Sequence, residues 1–247
     1  MPITSITYTN TQAHRHHILD TLRARRAQNP HYSVLDIGGY WTGWSAPVTD
    51  LLVDLQANPA SDAQGVPRIL CLDICSEASW DILREHIRTH RQGRLFDYVI
   101  CTHTLEDVPL PQLALHSLPT VALSGVISMP CLRDELSARA ESAQAHWLGY
   151  IHHRWIFDQA RDAAGNMIMT LTPKLSLLEA LCRIEHDHAP DERSQSIVYA
   201  WCRDIPHDAS LLSGDQTFSL TQRYRAFIRA YTDHLGPLPV TGQQLRV

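Results

Sequence analysis

Short aliphatic runs alternate with longer amphipathic stretches through the first half of the chain. Residues 33–37, 50–55, 68–74, 96–102 and 120–129 read as strands: they are rich in β-branched and aliphatic side chains and are bounded by turn formers. Gly125, inside the fifth, predicts a bulge. Between the strands lie helical patterns. Residues 12–28 carry Ile18, Leu19 and Leu22 as an apolar stripe and stop at Asn29-Pro30. Residues 76–87 open on Ser76 as a cap, and a shorter helix spans 111–118. The stretch 57–67 is a polar loop. Strands alternating with helices predict a mostly parallel, open, Rossmann-like α/β sheet with helices on both faces.

The pattern changes after Pro130. Residues 132–147 read as a polar helix. Residues 152–158 and 167–172 read as strands joined by a hairpin turn at 163–166, an antiparallel extension of the fold. A helix at 175–184, a charged loop at 186–194, a strand at 196–202 and a helix at 220–234 complete the chain. Three parts follow: an N-terminal helical segment at 1–30, a core at 31–130, and a C-terminal half at 131–247 that completes the sheet. A lid or substrate insertion is expected at about 131–158.

The chemistry concentrates where the first three core strands end. Asp36, Asp54 and Asp73 each sit at or near the C-terminal end of an apolar run, and Gly38-Gly39 follows the first. Ligands of open α/β sheets bind outside the carboxyl ends of the strands, so this pattern predicts a nucleoside site. The glycine pair also suits a tight strand-to-helix turn with no ligand.

Composition narrows the classes. A net charge of −5 argues against a general nucleic-acid binder. No run approaches the ~18 apolar residues of a membrane span. The N-terminus has neither the basic start nor the apolar core of a secretory signal. Six cysteines (Cys71, Cys75, Cys101, Cys131, Cys182 and Cys202) lack metal or redox spacing, and a reducing, cytoplasmic location is expected. The 15 histidines are the anomaly and direct attention to metal binding or proton transfer.

Val34-Leu-Asp-Ile-Gly-Gly39, Leu52-Val-Asp-Leu55, Cys71-Leu-Asp-Ile74 and Phe96-Asp-Tyr-Val-Ile-Cys-Thr-His-Thr-Leu-Glu-Asp-Val108 follow one another in order. Together they resemble the motifs of class I S-adenosylmethionine-dependent methyltransferases, the small-molecule enzymes in particular. The likeness covers roughly residues 33–130 and reaches more faintly to His153-Arg154-Trp155. The resemblance implies that the turn from Asp36 through Gly38 and Gly39 wraps the methionine part of the cofactor, with Asp36 toward its ammonium. It implies that Asp54 takes the ribose hydroxyls, that Asp73 takes the adenine amino group, and that the Ile74 backbone meets the ring. Cys101 and His103 would line the floor beside the sulfonium. The glycine motif departs from the family pattern: Tyr40-Trp41 replaces its third glycine and Gly43 arrives late. Asp107 stands where a histidine is usual after the Leu-Glu pair.

His103, Glu106 and Asp107 follow the fourth core strand, and Gly149-Tyr-Ile-His-His-Arg-Trp155 forms a second cluster. On a strand, His152 and His153 would face opposite sides. His103 with His152 or His153 and a carboxylate such as Asp107 would make a two-histidine, one-carboxylate site for a divalent metal ion. The same histidines, with Glu106, could instead serve as catalytic general bases. His103 could equally be a strand-end residue bonded to backbone. Tyr150, Arg154 and Trp155 are candidate substrate contacts, with Arg154 and Lys174 suited to an anionic group; the aromatics, Trp147 among them, equally suit the core of the extension. His14, His16 and His17 read as a solvated helix end.

Three functions remain open. The first is methyl transfer from S-adenosylmethionine to an O or N nucleophile of a small-molecule acceptor, natural-product or carbohydrate-like. The second is a metal-dependent enzyme on the same fold, and the third a non-catalytic binding partner. A small-molecule substrate is expected, with no nucleic-acid or membrane partner; no heptad seam speaks to oligomeric state.

Overall fold

The central strands are buried on both faces, and side chains that alternate between those faces build two cores on one sheet. The computed structural model describes residues 3–57, 60–61, 65–136, 138–142, 145–148, 152–174 and 195–209. Its first half runs β1 (Ile3–Asn10), α1 (Thr11–Gln28), β2 (Val34–Ile37), β3 (Leu51–Asp54), β4 (Ala60–Ser61), β5 (Pro67–Cys71), α2 (Glu77–His90), β6 (Tyr98–Thr102), α3 (Pro111–Ser117) and β7 (Ser124–Pro130). After these come α4 (Leu132–Leu136), β8 (Ala138–Ser142), β9 (Ala145–Leu148), β10 (Trp155–Arg161), β11 (Met167–Pro173), β12 (Gln195–Cys202) and β13 (His207–Ala209).

Eight strands form the main sheet in the order β1-β12-β7-β6-β2-β3-β5-β4. The five central strands, β7 to β5, are mutually parallel. β12 pairs antiparallel with β7, β1 pairs antiparallel with β12, and β4 closes the other edge antiparallel to β5. From β2 the chain builds outward to β3 and β5, then returns to β6 and β7 on the opposite side. The order therefore reverses between β2 and β6, the position at which open α/β sheets bind ligands.

Leu35 and Ile37 of β2, Val99 and Cys101 of β6, and Ile127 and Met129 of β7 face one side and pack with Trp80, Leu83 and Ile87 of α2. Val34, Ile100, Val126 and Val198 face the other side and lie under Ile18 and Leu22 of α1. The period of two that separates these sets is the strand repeat. Burying each such aliphatic side chain contributes roughly 1.5–3 kcal/mol. β10, β11 and β13 form a smaller sheet whose Trp155, Phe157, Met169 and Leu171 join the first core. Tyr199 on β12 ties this sheet to the main one by donating to the Asp158 carbonyl at 2.9 Å.

Several expectations need correction. The N-terminal segment is not helical throughout: Ile3–Asn10 is a strand, and its partner β12 lies at the far end of the described chain. Asn10 then caps α1, its Oδ1 accepting from the amides of Gln12 and Ala13 at 3.0 and 3.1 Å. The polar stretch predicted as a helix at 132–147 holds only the short α4, followed by the antiparallel pair β8 and β9. Gly125 sits in unbroken register rather than in a bulge; a Cβ there would meet Val99 Cγ1 at 2.4 Å, so close packing excludes a side chain. The hairpin at 163–166 forms as predicted, with Asp162 Oδ1 accepting from the Ala164 and Asn166 amides. The predicted helices at 175–184 and 220–234 lie outside the described residues. No helix among the described residues is long and apolar enough to cross a membrane.

Candidate functional site

Parallel strands deliver their C-terminal residues to one edge, and three of the predicted acids arrive there. Asp54 closes β3, and its Oδ1 accepts from the Gln56 amide at 2.7 Å. Asp73 follows β5, and its Oδ1 accepts from the Cys75 amide at 2.8 Å. Each acid therefore nucleates its own turn with one oxygen, and each keeps a second oxygen able to accept from a ligand. Ile74 is buried beside Asp73, and its carbonyl accepts from Trp80 Nε1 at 3.0 Å.

Asp36 behaves differently. It shares the Val34 face of β2, is 3% exposed, and accepts a hydrogen bond from the Ser45 hydroxyl. Burial raises its pKa from 3.8 to about 6, against the Ser45 hydrogen bond, and the Asp54 charge adds to the rise. Its carboxylate also explains Gly39, where a Cβ would lie 2.3 Å from Asp36 Oδ2. Gly38 has a φ of +76°, and a Cβ there would lie 2.1 Å from Thr104 Oγ1. The glycine pair is thus required by packing inside the chain, apart from any ligand. Tyr40 and Trp41 point outward, with Tyr40 77% exposed.

The loop after β6 carries His103 at a φ of +52°, a conformation that is uncommon outside glycine. Its amide donates to the Ser128 carbonyl at 2.8 Å, which fixes the residue against β7. The ring lies between two polar groups: Nε2 is 3.2 Å from Ser196 Oγ, and Nδ1 is 3.4 Å from Glu106 Oε1. Ser196 Oγ in turn lies 2.8 Å from Thr11 Oγ1 at the start of α1. Glu106 is 1% exposed, and neither of its oxygens has a hydrogen-bond partner among the described residues. A serine, a histidine and a glutamate in line suggest nucleophilic catalysis, but Ser196 is fully buried and cannot meet a substrate.

His14 belongs to this group, contrary to the expectation of a solvated helix end. It is buried, and burial, reinforced by His17, His103 and Arg15, lowers its pKa from 6.5 to about 4. Cys101 is part of the core rather than an exposed floor. Burial, helped by Glu106 and Asp36, pushes its thiol well above the usual range, so it is not a nucleophile.

A second group forms where the β6 loop meets the segment before β10. The Glu106 carbonyl accepts from the amides of Arg154 and Trp155 at 2.6 and 3.2 Å, and Trp155 Nε1 donates to the Val108 carbonyl at 3.0 Å. This clamp sets Asp107 against His152 and His153, whose Nε2 atoms each lie 3.7 Å from Asp107 Oδ1. His152 is in a turn and His153 just beyond it, neither in a strand, and they share one partner instead of facing opposite sides. His153 is buried and His152 is exposed. Behind His153, Glu135 Oε1 lies 2.5 Å from Nδ1, and Lys174 Nζ donates to Glu135 Oε2 at 2.8 Å. His103, one member of the predicted metal set, is absorbed by Ser196 and Glu106 instead. Lys174 is buried and paired with Glu135, so it is not a surface contact for an anionic substrate. Trp155 is core, Arg154 is exposed, and Tyr150 lies outside the described residues.

Sequence reasoning missed Ser45, Thr104, Ser196 and Glu135. No motif marks them; each matters only through a partner distant in the chain.

No protein-family model matches the sequence, and no curated protein matches it. Among solved structures the chain is similar to the N-terminal domain of EvdMO1 with SAH bound, at 16% identity and a TM-score of 0.32, over 74% of this chain and 79% of that one. It is also similar to the same domain in the presence of SAH and D-fucose, at 13% identity and a TM-score of 0.29, over 83% of this chain and 71% of that one. At these scores the likeness assigns neither ligand nor activity.

Proposed function

We propose that the chain binds S-adenosylmethionine at the carboxyl edge of β2, β3 and β5 and directs methyl transfer to an O or N nucleophile of a small-molecule acceptor. The observation that carries this reading is the edge itself: Asp54 and Asp73 stand at the ends of neighbouring parallel strands, beside the point where strand order reverses, each with a carboxylate oxygen left to accept. These acids fit the adenosine half of the cofactor, Asp54 for the ribose hydroxyls and Asp73 for the adenine amino group, with the Ile74 backbone at the ring. Asp36 is held inward by Ser45, so its part is to shape the Gly38-Gly39 turn rather than to meet the ammonium directly.

When bound, S-adenosylmethionine supplies a methyl group on a sulfonium, transferred by in-line displacement. Such a step depends more on alignment than on strong acid–base groups. His103 is held between Ser196 and Glu106, so its part in this reading is to position the loop after β6 beside the acceptor. The exposed Arg154 suits an anionic group on the acceptor.

The test is calorimetric titration of the chelator-treated protein with S-adenosylmethionine and S-adenosylhomocysteine. Binding on the order of micromolar is expected, about −8 kcal/mol. It should be lost in Asp54→Ala with the fold unchanged. Absence of heat with both ligands overturns the reading.

A further inference from the structure

Asp107 Oδ1 is buried yet has no hydrogen-bond partner among the described residues. Two imidazole Nε2 atoms face it at 3.7 Å, too far for a hydrogen bond. The donor atoms of Asp107, His152 and His153 all lie within 4.8 Å of one another. We propose that these three residues form a binding site for a first-row divalent transition-metal ion such as Zn²⁺.

The ligand chemistry fits. Imidazole and carboxylate together suit Zn²⁺, Fe²⁺ and their neighbours in the row, whereas Mg²⁺ and Ca²⁺ prefer oxygen alone. A tetrahedral ion with ligands at ~2.0–2.1 Å holds its donors ~3.3–3.4 Å apart, a few tenths of an ångström inside the two aspartate distances. The rings of His152 and His153 meet edge to face, with centroids 4.6 Å apart, and the exposed His152 has room to close the remaining gap.

The surroundings of His153 support the same reading. Glu135 Oε1 lies 2.5 Å from His153 Nδ1, and Lys174 Nζ donates to the other Glu135 oxygen at 2.8 Å, which orients the ring. Nε2 is thereby the atom turned toward Asp107. A carboxylate behind a histidine, fixing its tautomer, is the usual support of a metal-bound imidazole. Both members of the Glu135–Lys174 pair are 1% exposed, so this support is rigid. His152 and Asp107 are partly open to solvent, which leaves coordination positions for water or an acceptor oxygen, as in catalytic rather than structural sites. The site shares no ligand residue with the nucleoside edge, so its occupancy can be read with no S-adenosylmethionine present.

The test is titration of the metal-stripped full chain with Co²⁺, followed by its visible bands, and competition by Zn²⁺. One Co²⁺ per chain is expected, with the intense bands of a four- or five-coordinate nitrogen and oxygen site, bleached by Zn²⁺. Asp107→Asn and His152→Gln, both at partly open positions, should abolish the bands while circular dichroism stays native. Glu135→Gln, which keeps all three ligands, should weaken binding by ~10–100-fold. The proposal is overturned if no Co²⁺ binds. It is equally overturned if binding survives both ligand variants, or if it is removed by substituting the exposed His16 and His17 instead.

Discussion

The acids at the ends of β3 and β5 and the histidines behind β6 are built in opposite ways. Asp54 and Asp73 take their partners from two residues ahead, so each site is made by its own turn. His103 and His153 take theirs across the fold: Ser196 on β12 for one, Glu135 on α4 for the other. The first arrangement is open and depends little on the rest of the molecule. The second is enclosed and depends on four segments meeting. A region of the first kind can receive a ligand without being built by it; a region of the second kind keeps its arrangement only while those segments stay together.

The sharpest way to break this contrast is at Lys174. Its ion pair with Glu135 is enclosed, and removing the lysine leaves Glu135 a buried carboxylate with only His153 beside it among the described residues. Lys174→Met should cost ~3–5 kcal/mol in urea unfolding at pH 7. A loss of less than ~1 kcal/mol would mean that the second region is not the enclosed one.

The pH dependence of stability separates the regions next. His14 has a native pKa of about 4 against 6.5, so the unfolded chain takes up its proton first as pH falls, and stability is lost between 6.5 and about 4. Asp36 has a native pKa of about 6 against 3.8, so the unfolded chain releases its proton first as pH rises, and stability is lost between 3.8 and about 6. The two effects oppose one another over much the same window, each on the order of 3 kcal/mol. His14→Phe should therefore flatten the acid loss, and Asp36→Asn should steepen it while raising stability at pH 7. Urea midpoints from pH 4 to pH 7 check both; parallel slopes in the two variants would remove the distinction.

The smallest effect concerns the glycine turn. Gly38→Ala forces a side chain at positive φ into Thr104 and should cost roughly 1–3 kcal/mol. Adding Thr104→Ala should recover part of that loss, since a smaller residue 104 relieves part of the clash. Strict additivity of the two changes would show that contact with Thr104 is not what requires the glycine.

Much of the first region was legible along the chain because its interactions are short in sequence. A strand, an acid and a turn former within a few residues are a complete local unit, as at Leu51–Asp54 and the turn after it. The second region was legible only as a list of residue types. His103, Glu106, Asp107, His152 and His153 could be picked out, but their pairing could not: the expected set joined His103 to His152 or His153, whereas the fold sends His103 to Ser196 and Glu106. His14, which its place in the sequence makes a solvated helix end, is buried for the same reason: α1 folds back toward His103.

By itself, the sequence determined the alternation of strands and helices, the two-faced burial of each strand, the hairpin at 163–166 and the acids at the parallel edge. Those follow from side-chain period and from turn chemistry, which act over a few residues. Only the tertiary structure decided that the N-terminal residues form an edge strand on β12, that Asp36 turns inward, and that Asp107 meets two histidines backed by Glu135 and Lys174. These contacts close loops of many residues. Which loops close is set by how the whole sheet and its covering elements bury apolar surface, a sum to which no local pattern gives access.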